Sequence, residues 1–296
     1  MRNIIDAIMS LVEQQEFTIK TVQYPKNIAN QLGASFEAYG KMLFAGINMG
    51  SDEIECGNLL EQEFSHLGEQ NNPPDAIIRG GDAIEFKKLE KDSSCMPLNS
   101  SFPKHDLRSD SPFITEACRR AERWDKKDIL YVVGVVKKSC LSRMWMVYGS
   151  EYCASAETYL RLRNPLQTVV RDKIVELGGY IMDESSKEPA RVKMGIDPLD
   201  ITRFRLRALW EMQTPWVVFQ EEYQDVIARH QLRWQAKKFE FVAIVGNQKW
   251  MTLGNRGNLE AMVDAQTPGL GIYDIYVKNP DNVRQKVCAK MIVLTR

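Results

Sequence analysis

The stretch Asn72-Pro-Pro-Asp-Ala-Ile-Ile-Arg-Gly-Gly-Asp-Ala-Ile-Glu-Phe-Lys-Lys88 contains two short apolar runs separated by a glycine pair. Such runs on either side of a glycine turn are typical of a β-hairpin. Side chains alternate between the two faces of a strand, so Glu85 and Lys87 share one face. Ile84 and Phe86 point to the opposite face, toward a core. The stretch therefore predicts a hairpin with one charged face and one apolar face.

The length of the turn decides whether Asp75 joins the charged face. A two-residue loop of Gly80-Gly81 would put Asp75 on the apolar side, since a shift of one residue turns every side chain to the other face. A three-residue loop such as Gly80-Gly81-Asp82, or a glycine bulge, puts Asp75 beside Glu85 and Lys87. We expect this second register. It leaves a continuous apolar face that consists of Ala76, Ile78, Ile84 and Phe86.

Two carboxylates and a lysine on one sheet face are suited to phosphodiester hydrolysis with a divalent cation. Carboxylate oxygens bind Mg²⁺, which keeps several waters and can supply one as the attacking hydroxide. We therefore predict Asp75 and Glu85 as metal ligands. Lys87 would position or deprotonate the water and offset the charge that develops on the phosphate. The alternative is a surface hairpin with an ordinary Glu85–Lys87 pair on its solvated face.

The composition is that of a globular chain with a large core. Of the 296 residues, 44% are hydrophobic and 26% are charged, which predicts one large domain or one domain with an appended lobe. Thirty-nine basic and 39 acidic residues give a formal net charge of +0. Because no global basic field attracts nucleic acid, any DNA contact has to come from a local patch.

The cysteines and the N-terminus indicate a cytoplasmic protein. Six cysteines are scattered without a CxxC pair or a Cys/His run, which predicts free thiols and no zinc site. The apolar N-terminal stretch includes Asp6 and Glu13, unlike a secretory signal. No apolar run approaches the length needed to span a membrane.

The segments around the hairpin predict helices and loops. Residues 3–15 and 26–45 have the spacing of amphipathic helices, and Glu37 lies beside the apolar stripe of the second. Residues 46–72 are polar and predict a loop region with at most one short strand. Residues 95–112 predict a long loop, whose hydroxyl, amide and basic groups suit phosphate contacts. An ordinary surface loop is the alternative for these candidates, which are Asn99, Ser100, Ser101 and Lys104.

The remainder of the chain predicts the strands of an α/β core. Residues 128–136 are almost continuously apolar, as in a central strand that is buried on both faces. Residues 144–148 follow after a polar turn and should pair beside it. Helices are expected at 112–126 and 151–163, and Asn164-Pro165 would end the second. Further apolar strands are expected at 215–219, 239–245, 270–278 and 290–294.

Arginine alternates with apolar residues after residue 202. Arg203, Arg205 and Arg207 are separated by Phe204 and Leu206, the period of a strand with one basic face. The alternative is a charged sheet edge that only discourages association between strands.

Several blocks of sequence resemble the NgoPII-type family of type II restriction endonucleases. The order Pro-Asp, spacer, Glu-x-Lys is also similar to the active site of the PD-(D/E)xK nuclease superfamily, to which that family is assigned. The blocks extend from the N-terminus past residue 200. They are Asn3–Ile8, Asn72–Lys88, Leu98–Ser101, Lys127–Val136, Met146–Gly149, Tyr152–Ser155, and Asp197–Ile201 with Arg205 and Arg207.

The resemblance implies a restriction-endonuclease-like α/β fold, with a mixed central β-sheet flanked by helices and additional C-terminal strands. It implies a single nuclease domain over residues 1–296, with its catalytic core at about 1–160 and DNA-recognition elements at about 196–296. The family further implies a Mg²⁺-dependent homodimer that cuts double-stranded DNA within a short GC-rich palindrome, GGCC, leaving a 5′-phosphate and a 3′-hydroxyl. A DNA methyltransferase is implied as functional partner, because it would protect the host's own DNA.

Roles for further residues also follow from the resemblance. A glutamate on the helix before the catalytic hairpin often joins the metal site in such nucleases, and Glu37 is the candidate; a helix-surface carboxylate is the alternative. Arg205 and Arg207 are the candidates for contacting guanine O6 and N7, for which bidentate arginine is the commonest solution. Arg203 is assigned to a phosphate contact. A nuclease of DNA repair or recombination and a non-catalytic DNA-binding protein remain alternatives.

Overall fold

The computed structural model shows a mixed α/β fold. The residues that it describes are 1–19, 28–47, 53–68, 72–98, 101–177, 190–192, 199, 201, 204–206, 209–229 and 238–296. The helices are α1 (Ile4–Glu13), α2 (Ile28–Ala45), α3 (Glu53–Glu63), α4 (Glu116–Arg120), α5 (Gly149–Tyr152), α6 (Ala156–Glu176), α7 (Pro215–Val218), α8 (Gln220–Arg229), α9 (Asn247–Thr252) and α10 (Arg256–Asp264). The strands are β1 (Phe64–His66), β2 (Ala76–Ile78), β3 (Ala83–Leu89), β4 (Cys95–Leu98), β5 (Asp106–Arg108), β6 (Lys126–Lys137), β7 (Cys140–Tyr148), β8 (Ala190–Val192), β9 (Phe204–Leu206), β10 (Trp210–Gln213), β11 (Glu240–Gly246), β12 (Leu270–Asn279) and β13 (Asn282–Thr295).

A nine-stranded mixed sheet forms the centre of the described residues. Its strand order is β1-β2-β3-β6-β7-β11-β13-β12, and β5 pairs with β6 outside this path. Strand β3 runs parallel to β6, and β7 runs parallel to β11. The pairs β6–β7, β11–β13 and β12–β13 are antiparallel. The predicted class, a mixed central sheet flanked by helices with additional C-terminal strands, is confirmed.

Both faces of the sheet are buried, which explains its continuous apolar strands. One core cluster contains Ile8 of α1, Phe36 of α2 and Val132 of β6. The cluster on the other face contains the adjacent Val133 and Tyr223 of α8. Because neighbouring residues of β6 enter opposite clusters, this strand is the doubly buried central strand that its sequence predicts.

The two N-terminal helices are also confirmed. Helix α1 begins with a capping box, in which the Asn3 side chain accepts from the amide of Ile5 (2.8 Å) and the Asp6 side chain accepts from the amide of Asn3 (2.9 Å). These bonds satisfy amides that have no partner within the first turn of a helix. Helix α1 then buries its apolar side against α2 and the sheet.

Three helix and loop predictions are wrong. Residues 46–72 contain a short strand, β1, as the sequence allows, but they also contain helix α3 where a loop was expected; its side chains are mostly exposed and form no buried stripe. Helix α6 does not end at Asn164-Pro165 but continues to Glu176, since Pro165 is exposed and water can bond the carbonyl that its ring frees. The helix expected at 112–126 is only α4, which Thr115 caps through the amide of Cys118.

One strand prediction and one further loop prediction are wrong as well. Residues 215–219 form helix α7 because Pro215 stands at the start of a helix, where its missing amide and fixed φ are favourable. Residues 95–112 are not one long loop, since they contain β4 and β5. Strand β4 pairs with β10, more than a hundred residues away, and β5 pairs with the start of β6. Such distant partners leave no local signal.

The six cysteines are free thiols, as predicted.

No helix among the described residues is both long and apolar enough to cross a membrane.

Candidate active site

The hairpin has the odd-numbered loop that its sequence predicts. Strands β2 and β3 pair antiparallel, and the amide of Asp75 donates to the carbonyl of Ile84 (3.0 Å). The loop consists of residues 79–81, one residue earlier than the predicted one. Gly80 has a φ of +69°, which favours glycine. This register brings Asp75 next to Glu85.

The two sides of the hairpin enter different environments. Its predicted apolar face packs into the core cluster that α1 and α2 cover; the members are Ala76, Ile78, Ile84 and Phe86. Helix α2 approaches this face closely at Gly40, where an added Cβ would overlap the Phe86 ring. The close approach fixes the position of α2 relative to the hairpin.

Glu85 is a deeply buried carboxylate with one oxygen that has no partner. Glu85 is 6% exposed. Its Oε1 accepts a hydrogen bond from Lys87 Nζ at 2.6 Å. Oε2 is buried and has no hydrogen-bond partner. A buried carboxylate oxygen without a partner is unfavourable. Glu85 is therefore able to present one oxygen to a cation.

Asp75 completes a pair of mutually repelling carboxylates. Its Oδ2 accepts from the amide of Phe86 at 2.6 Å. Burial raises the pKa of Asp75, and the Glu85 carboxylate raises it further, while the Lys87 ammonium acts in the opposite direction. A divalent cation between the two carboxylates would relieve this repulsion.

Lys87 is a cation in this arrangement. Burial on its own would lower the pKa of Lys87, but the carboxylates of Glu85, Asp75 and Glu37 outweigh it, so that the pKa is raised. The ammonium therefore stays protonated at neutral pH. Of the two roles predicted for Lys87, this charge favours positioning and electrostatic stabilisation over removal of a proton.

Glu37 lies close to the hairpin carboxylates. Its carboxylate is among the charges that raise the pKa of both Asp75 and Lys87. Its side chain is 34% exposed and pairs with Lys41 one turn later on α2, at 2.5 Å. Helix α2 thus brings Glu37 near the site, although sequence spacing alone left a surface position equally open.

The expectation of an exposed loop is wrong for Lys104. This residue is 6% exposed, and its Nζ lies 3.5 Å from the Phe102 ring centroid and 4.4 Å from that of Phe113. Its amide donates to the Tyr131 hydroxyl at 2.7 Å. Because the fold encloses the ammonium, Lys104 is not available at the surface for the DNA contact that the sequence predicted.

Lys104 instead lies inside the fold near the Glu85 carboxylate. It lines a small cavity together with Glu85, Tyr131 and Ser101. Burial lowers the pKa of Lys104 to about 7, although the Glu85 carboxylate raises it. Ser101 is half-buried, and its hydroxyl donates to the carbonyl of Phe102 (3.2 Å). Phe102, two residues before Lys104, was the local signal of this enclosure.

The other predicted DNA contacts lie mainly outside the described residues. Asn99, Ser100, Arg203 and Arg207 belong to that group. The predicted basic strand is present as β9, which covers residues 204–206 and pairs antiparallel with β8.

The donor set fits a magnesium ion that shares its shell with substrate. Among the described residues, no group of three or more His, Cys, Asp or Glu side chains is arranged to hold a metal. Mg²⁺, however, is commonly held by one or two carboxylates, with waters and substrate phosphates as the other ligands. Asp75 and the partnerless Oε2 of Glu85 provide such a pair.

A mixed sheet flanked by helices, with an acidic hairpin at its edge, is consistent with a restriction-endonuclease-like fold. Residues 2–278 match the sequence model of the NgoPII restriction endonuclease family. The chain is also 42% identical to the type II restriction enzyme NgoPII of Neisseria gonorrhoeae over 291 residues, which cover 98% of each chain. The chain therefore belongs to the NgoPII restriction endonuclease family. No solved structure shows a significant match.

Proposed function

We propose that this chain is a Mg²⁺-dependent type II restriction endonuclease that hydrolyses double-stranded DNA within a short GC-rich palindrome. GGCC is the expected target, and the products carry a 5′-phosphate and a 3′-hydroxyl. The observation that carries the proposal is the grouping of Asp75, Glu85 and Lys87 at one hairpin, with Glu85 Oε2 buried and without a partner. Membership of the family supports the same chemistry.

Asp75 and Glu85 are the proposed metal-holding residues. The bound ion would supply a water of lowered pKa and stabilise charge on the phosphate. The amide of Phe86 holds Asp75 Oδ2 (2.6 Å), and Lys87 holds Glu85 Oε1 (2.6 Å). Each carboxylate therefore keeps one oxygen engaged by the protein, which limits its rotation and orients the other oxygen.

Lys87 and Glu37 are the other two proposed catalytic side chains. The Lys87 ammonium offsets the charge that develops on the phosphate and orients the attacking water, roles that its raised pKa favours. Glu37 adds a third carboxylate beside Asp75. Without a cation this acidic group repels phosphates, so tight DNA binding should require a divalent ion.

DNA recognition is assigned to the C-terminal part of the chain. Arg205 and Arg207 are proposed to contact guanine O6 and N7, and Arg203 a phosphate. Asn99, Ser100 and Ser101 are proposed phosphate or groove contacts. Replacing Arg205 with Ala should remove most of the preference for cognate over scrambled duplex with little change in salt dependence, whereas loss of a phosphate contact would weaken both duplexes alike.

The target symmetry supports a homodimer. A palindrome consists of two identical half-sites related by a two-fold axis, so a C₂ dimer can place one hairpin on each strand. A DNA methyltransferase is the proposed functional partner, because modification of the same palindrome would protect the host's own DNA. Sedimentation with a short cognate duplex should give two chains per duplex.

Digestion of plasmid DNA with Mg²⁺ tests the proposal as a whole. Discrete fragments whose ends map to GGCC, and their loss in Asp75→Ala, are the expected results. Cleavage confined to junctions or flaps would favour a nuclease of repair or recombination. Absence of cleavage in the presence of Mg²⁺ or Mn²⁺ would indicate a non-catalytic DNA-binding protein.

A further inference from the structure

Lys41 is a buried lysine that joins Glu37 of the candidate active site to a neighbouring backbone segment. Its side chain is 9% exposed. The ammonium donates to Glu37 Oε1 at 2.5 Å and to the carbonyl of Leu67 at 2.6 Å. It therefore joins helix α2 to the segment that follows β1. A buried ammonium is stable only with such partners, so both contacts are integral to its position.

The segment that Lys41 holds packs directly on the backbone of Asp75. Gly68 has a φ of +83°, and a Cβ added there would overlap the carbonyl of Asp75. Leu67 and Gly68 thus lie between the Lys41 ammonium on one side and the Asp75 backbone on the other. Movement of this segment would disturb the position of Asp75.

Helix α2 also approaches the hairpin directly, at Gly40 and Phe86. Glu37, Gly40 and Lys41 are spaced three and four residues apart and share one side of the helix. Gly40 sets the distance between α2 and β3, and Lys41 sets the direction of the Glu37 side chain. The Phe86 amide in turn holds the Asp75 carboxylate.

From these contacts we infer that Lys41 is a positioning residue of the hydrolytic centre, which acts through Glu37 and through the Leu67–Gly68 segment. The inference rests on the proposed nuclease function and on the proposed role of Glu37. Lys41 does not touch the reacting atoms. It fixes two of the carboxylates, one through its side chain and one through backbone packing, in the geometry that catalysis requires.

A double-mutant cycle of Lys41→Met and Glu37→Gln tests this coupling. Methionine keeps the length and packing of the lysine stem while it removes the charge. We expect each single variant to lower the single-turnover cleavage rate about 10–100-fold. The double variant should be slower than Glu37→Gln alone, since the route through the Leu67–Gly68 segment remains, but by clearly less than the product of the two single effects, since Lys41 also acts through Glu37. Multiplication of the two effects would overturn the inference.

The chain offers a matched control in Lys127. This lysine is also buried and donates to a backbone carbonyl, that of Gly81 (2.7 Å), and to a carboxylate, that of Glu122 (2.5 Å). It does so at the turn end of the hairpin, away from Asp75. Lys127→Met should lower stability to urea as Lys41→Met does and leave the cleavage rate per folded molecule unchanged. Equal loss of cleavage in both variants would reduce Lys41 to a merely structural residue.

Hydrogen exchange of the metal-free protein supplies a readout that is independent of activity. Lys41→Met should speed amide exchange in peptides that cover residues 64–68 and 75–78, whereas Lys127→Met should speed it around residues 79–82. If Lys41→Met does not fold, Lys41→Gln takes its place in the same cycle. If Glu37→Gln cleaves at the native rate while Asp75→Ala is inactive, the proposed role of Glu37 fails and the inference fails with it. If Asp75→Ala also cleaves at the native rate, the hairpin site itself is wrong.

Discussion

Lys87 and Lys104 both lie near the Glu85 carboxylate, yet their environments shift their pKa in opposite directions. Lys87 donates to Glu85 Oε1 and is surrounded by further carboxylates, so its pKa is raised. Lys104 lies between two phenyl rings, and burial lowers its pKa to about 7. Both lysines are near Glu85, so proximity to one carboxylate does not decide the outcome.

The difference shows that the charges around a lysine, and not burial alone, decide the direction of its pKa shift. Desolvation penalises the ammonium at both positions, and Asp75 and Glu37 offset it only at Lys87. Lys87 therefore keeps its charge at neutral pH, which suits the proposed phosphate chemistry. The small cavity beside Glu85 holds Lys104, whose charge depends on pH near neutrality.

The largest expected effect is the loss of cleavage in Lys87→Met. The variant should cleave about 10²–10³-fold more slowly, because the charge proposed to stabilise the phosphate is removed. Its binding to cognate duplex in Ca²⁺ should stay within a few-fold of the native value, as measured by fluorescence anisotropy. Single-turnover cleavage of a labelled duplex measures the rate.

Lys88→Met is the control for that comparison. Lys88 is the next residue of β3, its side chain is 8% exposed, and it pairs with Glu90 at 3.2 Å. Because alternate residues point to opposite faces, Lys88 lies away from the carboxylates. Near-native cleavage is expected for Lys88→Met, and near-native cleavage by Lys87→Met would refute the assignment.

Lys104→Met should stabilise the protein in a pH-dependent manner. The pKa of Lys104 is about 7 in the folded protein, against about 10.4 in an unfolded chain. The unfolded state thus binds more protons between these values, and native stability rises with pH across this window. The variant should gain on the order of 2 kcal/mol at pH 6 and much less at pH 9.5, measured by urea unfolding.

Lys126 is the control for this measurement. It is exposed and pairs with Asp106 of strand β5. Lys126→Met should show no such trend between pH 6 and pH 9.5. A gain for Lys104→Met that is equal at the two pH values would contradict the lowered pKa of Lys104.

Asp75→Asn should give the smallest effect, a modest stabilisation of the metal-free protein. A carboxyl whose folded pKa is raised destabilises the fold above that pKa, and the penalty disappears below the unfolded value of about 3.9. Asparagine can still accept the Phe86 hydrogen bond without the charge. We expect the Tm to rise by roughly 2–4 °C at pH 7 and not at pH 3.5.

Two further measurements sharpen this last result. Asp110→Asn is the matched control variant. Asp110 is exposed and, among the described ion pairs, is paired only with Arg108. This substitution should leave the Tm unchanged at both pH values. Added Ca²⁺ should stabilise the native protein and not Asp75→Asn, because the proposed ligand is gone. A Ca²⁺ effect of the same size in both proteins would argue against Asp75 as a metal ligand.

Local sequence was sufficient for the hairpin and the central strands. The alternation in the stretch 72–88 predicted an odd-numbered loop, because only that register separates Asp75, Glu85 and Lys87 from the apolar face. The continuous apolar run at 128–136 predicted a doubly buried strand. Both rest on the two-residue period of a strand, which is a property of the backbone and is therefore visible in any strand with a buried face.

Tertiary structure decided the features that depend on distant partners. Strand β4 exists because β10 pairs with it, and Lys104 is enclosed because Phe113 closes over it, so neither is visible in residues 95–112 alone. Glu37 is near Asp75 because Gly40 lets α2 approach Phe86. The sequence thus determined which residue types face which side of each strand, while burial and charge at each site were determined by packing, since desolvation and Coulomb energies depend on neighbours in space.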